Sequence, residues 1–316
     1  MAQHVQPISL GADVDSRFIE IAVYGAKTSE RIENTPEAIR AWLARQSAAT
    51  ELALEVTGNY HCELLEQAYQ AGVRVYLINP LWLRHYRQGV GHRTKSDRAD
   101  ARLLARYVAH EREELRPWTP PPAGQRALCS LLKRRAKLVQ VQTTLEQSFA
   151  AEKTIAEAFA RTRAELQRLA RAIEHRIKAL VREQGWWAHY RRCCSIYGVG
   201  EITAAALVAA FQRGPFKSAD AFVAYLGLDV RRRQSGRYEG LAKLTKQGES
   251  EYRRLLHNAA RAAARRDLKA YYEGLRARGF QPTQAHVAVA RKLVRIAFSL
   301  MKHQTTYDPT QIRAAA

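Results

Sequence analysis

Sixty consecutive residues, Gln125 to Gln184, contain neither proline nor glycine. Apolar residues recur at sevens within them, with Leu131, Leu138 and Leu145 in the first half and Phe159, Leu166, Ile173 and Leu180 in the second. That spacing predicts long helices paired as a coiled coil, antiparallel within the chain or between copies of it. Pro117-Trp118-Thr119-Pro120-Pro121-Pro122 stands before the run and cannot continue a helix. The expected division is therefore residues 1–116, a linker and coiled-coil arm at 117–190, and a third unit at 191–316. Lys133, Arg134, Arg135 and Lys137 make one side of the arm basic, either as a solvated face or as a nucleic-acid contact.

Charge separates these parts. The formal net charge is +21, but residues 1–110 carry 13 Lys/Arg against 12 Asp/Glu, so nearly all the excess belongs to the remainder. A surplus of this size favours a polyanionic partner, and without a lipid-anchor pattern nucleic acid is expected rather than membrane. The N-terminal part must do something other than hold polyanion by bulk charge. Cys62, Cys129, Cys193 and Cys194 include no C-x-x-C spacing, which leads us to expect reduced thiols in a cytoplasmic protein. No apolar run approaches the roughly 18 residues of a membrane span.

Ile8 to Val14 and Phe18 to Tyr24 read as two strands of a tight hairpin, with Asp13 at the end of the first. A third strand is expected over Arg31 to Asn34, then a helix with Thr35 as N-cap and Pro36 at its first position. Leu52 to Val56 is a buried-strand pattern interrupted by Glu55; a helix with Leu64, Leu65 and Ala68 follows, then a β-branched run from Val73 to Ile78. After a basic loop, Ser96 caps a helix that opens with Asp97 and Asp100, on one face at i, i+3.

The order β-β-β-α-β-α-β-α is the α/β pattern of an RNase H-like or RuvC-like sheet. In such a sheet the first and fourth strands end side by side and the last helix crosses them, which would bring Asp13, Glu55, Asp97 and Asp100 together. Hard oxygen ligands of that kind suit Mg²⁺, with Mn²⁺ as the alternative, acting on a phosphodiester. Each acid also has a plainer explanation. Asp97 and Asp100 complement a helix dipole if solvated, Glu55 is a buried acid if an arginine satisfies it, and Asp15 competes for the role of Asp13.

In the third unit, Gly198-Val199-Gly200 between apolar helices has the form of a helix-hairpin-helix, in which Gly198 and Gly200 would let backbone N–H groups approach a phosphate; an ordinary packing corner is the alternative. Further on, Ser235 lies among Arg231, Arg232, Arg233 and Arg237, and Lys246, Arg253 and Arg254 add candidate phosphate contacts. Serine is a weak nucleophile, but arginines can place a phosphate beside it.

Taken in order, Gly11 to Val14, Glu55 to Tyr60, Val75 to Pro80, Lys95 to Ala101, Gly198 to Gly200 and Gln234 to Gly236 resemble the DEDD-type insertion-sequence transposases, the Piv/MooV-like recombinases guided by a bridge RNA. The resemblance spans about Gly11 to Leu256. It implies a RuvC-like domain, a coiled-coil arm and a C-terminal, mainly helical transposase domain with a helix-hairpin-helix. It further implies that Asp13, Glu55, Asp97 and Asp100 bind Mg²⁺ and that Ser235 forms a transient phosphoserine bond with DNA. Donor and target DNA, a bridge-type guide RNA, and a dimer assembling to a tetramer with composite sites are the implied partners. The family often has a lysine shortly after its first aspartate, where this chain has Asp15-Ser16-Arg17.

Two other functions fit parts of the pattern. A RuvC-like hydrolytic nuclease or Holliday-junction resolvase would use the acids to activate water and leave Ser235 in a turn. An architectural helix-hairpin-helix protein would leave the four acids unexplained, since carboxylates near DNA are unfavourable without a cation between them.

Overall fold

The computed structural model describes residues 7–310 apart from 48, 57, 92–95, 232, 233, 236, 237, 240–242 and 246, and gives the backbone alone for 231, 234, 235, 238, 239 and 243. The chain forms two compact units that meet in the proline stretch, between Pro120 and Pro121.

The first unit is built on β1 (Ile8–Val14), β2 (Phe18–Val23) and β3 (Ser29–Glu33), then α1 (Pro36–Leu43), β4 (Thr50–Glu55), α2 (Cys62–Gln70), β5 (Arg74–Ile78), α3 (Pro80–Gly89) and α4 (Asp97–Glu111). Its five strands lie in the order β3-β2-β1-β4-β5. The hairpin pairs are antiparallel, and β4 and β5 run parallel to β1. This mixed sheet fits the RuvC-like arrangement, with the first and fourth strands adjacent as expected.

Strand alternation sorts the side chains between two faces. Leu10, Ala12, Leu52 and Leu54 meet Trp42 of α1 and Leu64 of α2 on one face. On the other, Ala53, Tyr76 and Ile78 meet Leu83 of α3 and Leu103, Leu104 and Val108 of α4. Gly11 lies on this second face, directly under α4.

The basic loop expected before α4 is in part a helix. Asn79 caps α3 by accepting a hydrogen bond from the Leu81 amide, and Pro80 occupies its first position. Thr35 and Pro36 start α1 in the same way, and that signal was present at both sites. The inward faces of α3 supply Leu83 and Tyr86, whose ring meets Tyr107 of α4 edge to face.

The second unit opens with α5 (Ala123–Ser148) and α6 (Ala156–Glu183). These run antiparallel, as the Arg135–Glu174 ion pair and the stacking of Phe149 on Phe159 place residues of rising number against residues of falling number. Their open ends share a core with the rest of the unit, through Leu128, Leu132, Ile177 and Leu180. After them come α7 (Trp187–Cys194), α8 (Glu201–Phe211), α9 (Ala219–Tyr225), the short strands β6 (Val230–Arg231), β7 (Gln234–Ser235), β8 (Tyr238–Glu239) and β9 (Lys243–Leu244), and α10 (Ser250–Ala263), α11 (Lys269–Ala277) and α12 (Pro282–His303). The strands pair as two ladders, β6 with β9 and β7 with β8. No described helix is long and apolar enough to cross a membrane.

Candidate active site

Asp13 occupies the next-to-last position of β1, opposite Glu20 of β2. On its other side Ala12 pairs with Leu54 in parallel register, so Asp13 and Glu55, one residue further on, end neighbouring strands at the same level. Ser96 caps α4 by accepting from the Ala99 amide, which makes Asp97 and Asp100 first-turn residues of the helix that crosses these strand ends.

The electrostatics report the same gathering. The Asp13 carboxyl is pushed up to about 6, first by burial and then by the negative charges of Asp100, Asp97 and Glu55, against a smaller stabilisation from the Val14 amide. Carboxylates raise one another's affinity for protons this way only at short range. Four acids distant in sequence are therefore gathered at one end of the sheet. Their collected charge and oxygen donors suit a hard divalent cation.

Asp15, the competitor for the Asp13 role, is committed elsewhere. Its Oδ1 accepts from the backbone N–H groups of Arg17 and Phe18, at 2.5 and 2.8 Å, and these bonds hold its carboxyl below the usual range. It closes the β1–β2 turn and lines a small cleft with Asp13, Phe18, Glu20, Arg31 and Asp97.

Two neighbours are not among the candidates read from the sequence. Glu20 is buried beside Asp13, where its carboxylate accepts from the Ser29 hydroxyl and pairs with Arg98 at 3.3 Å. Arg87 of α3 donates from Nη2 to Asp100 Oδ1 at 2.5 Å, and both side chains are largely buried. Among the described residues, no three His, Cys, Asp or Glu side chains are arranged to hold one metal ion. The acid at Glu20, alternating with Ile19 and Ile21, was a visible signal; the partner of Arg87 was not.

The second unit holds the remaining candidates. Ser235 pairs through its backbone with Tyr238 in the β7–β8 ladder, and Arg231 with Lys243 in the β6–β9 ladder. The side chains of Ser235 and Arg231, and all of Arg232, Arg233, Arg237 and Lys246, lie outside the described residues. Arg253 donates to the Gly248 carbonyl at 2.8 Å, and Arg254 grips Glu251 through two nitrogens, so both have partners within the chain.

The two turn glycines differ. Gly198 has φ +92°, and a Cβ there would fall 2.5 Å from the Ala259 carbonyl oxygen and 2.9 Å from the Ala263 nitrogen, so it packs the turn against α10. Gly200 caps α8 in extended conformation with open space around it. Of the pair, only Gly200 has room for a ligand at its α-carbon.

Comparison with known proteins adds to this geometry. Residues 10–152 match a family model of DEDD type described as "Transposase", and residues 190–273 match one described as "Transposase IS116/IS110/IS902 family". The chain is 27% identical over 272 residues to the pilin gene-inverting protein of Moraxella bovis, covering 83% of each chain. It is 28% identical over 308 residues to a probable family 20 transposase of Pseudomonas aeruginosa, covering 84% of this chain and 88% of the other.

Proposed function

The chain belongs to the IS116/IS110/IS902 family of transposases, and from that premise we propose how its acids and its serine divide the work of recombining DNA. It is a DNA recombinase whose substrate is DNA, and its DEDD-type domain implies use of a divalent metal. The residues that hold the metal, the nucleophile and the guide are our own assignment.

Asp13, Glu55, Asp97 and Asp100 would hold Mg²⁺, with Mn²⁺ as a substitute. The observation that carries this is that Asp13 and Glu55 end neighbouring strands crossed by the first turn of α4, with the Asp13 carboxyl raised by burial and by the charges of the other three. The bound ion would supply positive charge to the oxygens of the scissile phosphate.

Ser235 is the nucleophile in this assignment. Its Oγ forms a bond to phosphorus as the bond to the departing sugar oxygen breaks; the serine proton goes to a base or solvent and the sugar oxygen gains one. Rejoining reverses both exchanges on a new strand, so the phosphodiester is conserved without ATP. Arg231, Arg232, Arg233 and Arg237 would offset the charge that develops on phosphate oxygens. Gly200, Lys246, Arg253 and Arg254 would grip backbone phosphates. The α5–α6 hairpin would serve as the coiled-coil arm of a dimer that assembles to a tetramer, with a bridge-type RNA choosing the DNA sites.

The decisive experiment is Ser235→Ala with end-labelled DNA. We expect no denaturant-resistant protein–DNA adduct and no strand exchange, with DNA binding retained. Continued cleavage by that variant would replace the recombinase mechanism with metal-assisted hydrolysis. RNA recovered with the wild-type protein from cells tests the guide separately, one discrete species being the expected result.

A further inference from the structure

The acid cluster contains a cation of its own. Arg87 reaches from the last turn of α3 to Asp100, with side-chain exposures of only 19% and 11% for the two residues. Their link is a single contact from Nη2 to Oδ1 at 2.5 Å, which turns that carboxylate oxygen toward α3. Yet Asp100 is also the acid whose charge acts most strongly on Asp13. One carboxylate thus faces two demands, from an arginine that already neutralises it and from an ion that the other three acids would share.

We propose that Arg87 is a displaceable counter-cation for Asp100: a divalent ion entering the cluster takes Asp100 from Arg87, and the released guanidinium becomes a phosphate-binding group at the edge of the site. This rests on the assignment of Asp100 as a metal ligand. Two positive charges disfavour each other on one carboxylate, so the ion pair weakens the first metal-binding event. In the exchange an ion pair opens and a metal–oxygen bond forms, while the guanidinium keeps its proton throughout. A freed guanidinium presents several N–H donors in a fixed fork, a shape that matches phosphate oxygens. In the absence of metal, the same pair keeps the accumulated carboxylate charge partly neutralised.

The test is Mn²⁺ binding to the full-length protein, read by loss of the free-ion paramagnetic signal. Arg87→Gln should bind Mn²⁺ at least about tenfold more tightly than wild type, the lower end of what a neighbouring charge does to a carboxylate. Asp100→Asn should bind it more weakly, and the Arg87→Gln gain should vanish in the double variant. A purely structural arginine would give the opposite sign, because its loss would loosen the site. If Asp100→Asn weakens binding while Arg87→Gln leaves it unchanged or weaker, the counter-cation idea fails and the metal assignment stands. If Asp100→Asn has no effect on Mn²⁺ affinity, the metal assignment itself fails and this proposal goes with it. A measurement on the unaltered protein guards against misfolded variants. Phenylglyoxal labelling of Arg87, followed by peptide mass spectrometry, should rise severalfold on adding Mn²⁺, and unchanged labelling overturns the release of Arg87.

Discussion

Gly11 and Ala101 meet backbone to backbone: a Cβ on Gly11 would fall 2.1 Å from the Ala101 carbonyl oxygen, and 2.2 Å from the Ala105 nitrogen. Only a hydrogen fits there, so α4 rests directly on β1 and delivers Asp97 and Asp100 to the end of the strand that carries Asp13. Gly11→Ala must lift the helix. Overpacking of this kind costs about 1–3 kcal/mol. Urea unfolding should show that loss, and Mn²⁺ affinity should fall with it. A variant of normal stability and normal affinity would contradict the role given to this contact.

The Asp13 carboxyl titrates near 6 in the folded chain and near 3.8 when unfolded. Between those values the folded state keeps a proton that the unfolded state has lost. Stability of the metal-free protein should therefore decline as pH rises through this window. Asp13→Asn should remove that part of the decline in a Tm-against-pH series. With Asp13 a ligand as proposed, a cation would displace the same proton, and Mn²⁺ affinity in wild type should increase as pH rises through about 6.

Asn34 ties two loops at the acid end of the sheet. Its Nδ2 donates to the carbonyls of Asp15 at 2.7 Å and Tyr60 at 3.1 Å, joining the β1–β2 turn to the segment after β4. Asn34→Ala should cost about 1 kcal/mol, in the range of an ordinary hydrogen bond. Hydrogen exchange should accelerate in both loops together. Acceleration in one alone would mean that the bridge does not couple them.

Gly198 and Gly200 should separate stability from DNA binding. Gly198→Ala places a Cβ against α10 at a backbone angle that costs L-residues about 1–2 kcal/mol before any clash. Gly200→Ala has open space and an ordinary backbone angle. The first should lower the unfolding midpoint clearly. The second should change it much less while reducing affinity for nonspecific duplex DNA, measured at fixed salt. Equal affinity in Gly200→Ala and wild type would remove this turn from the DNA contacts.

Much of the first unit is legible from local pattern. Alternation in Ile8–Val14 and the Thr35-Pro36 and Ser96 caps act within a few residues, and the strands and helices they announce are there. Asp13, Glu55, Asp97 and Asp100 could be picked out because each breaks an apolar strand or opens a helix. Helix α3 was announced by Asn79-Pro80 as clearly as α1 was by its own pair, but the arginines and histidines after it looked like a loop. What stayed hidden depends on partners brought close only by folding. Nothing near Arg87 in the sequence says that it meets Asp100, and nothing near Gly198 says that α10 passes over it. The arginines around Ser235 are conspicuous as composition, yet composition carries no information about which way they point.

Two of the four acids grow from a sheet and two from a single rod. The strands that bear Asp13 and Glu55 are fastened to each other by their ladder, whereas Asp97 and Asp100 travel together with α4. Any side chain at Gly11 would shift both helix acids together relative to the two strand acids. Half of the cluster thus depends on the pairing of two strands and half on one close approach between strand and helix.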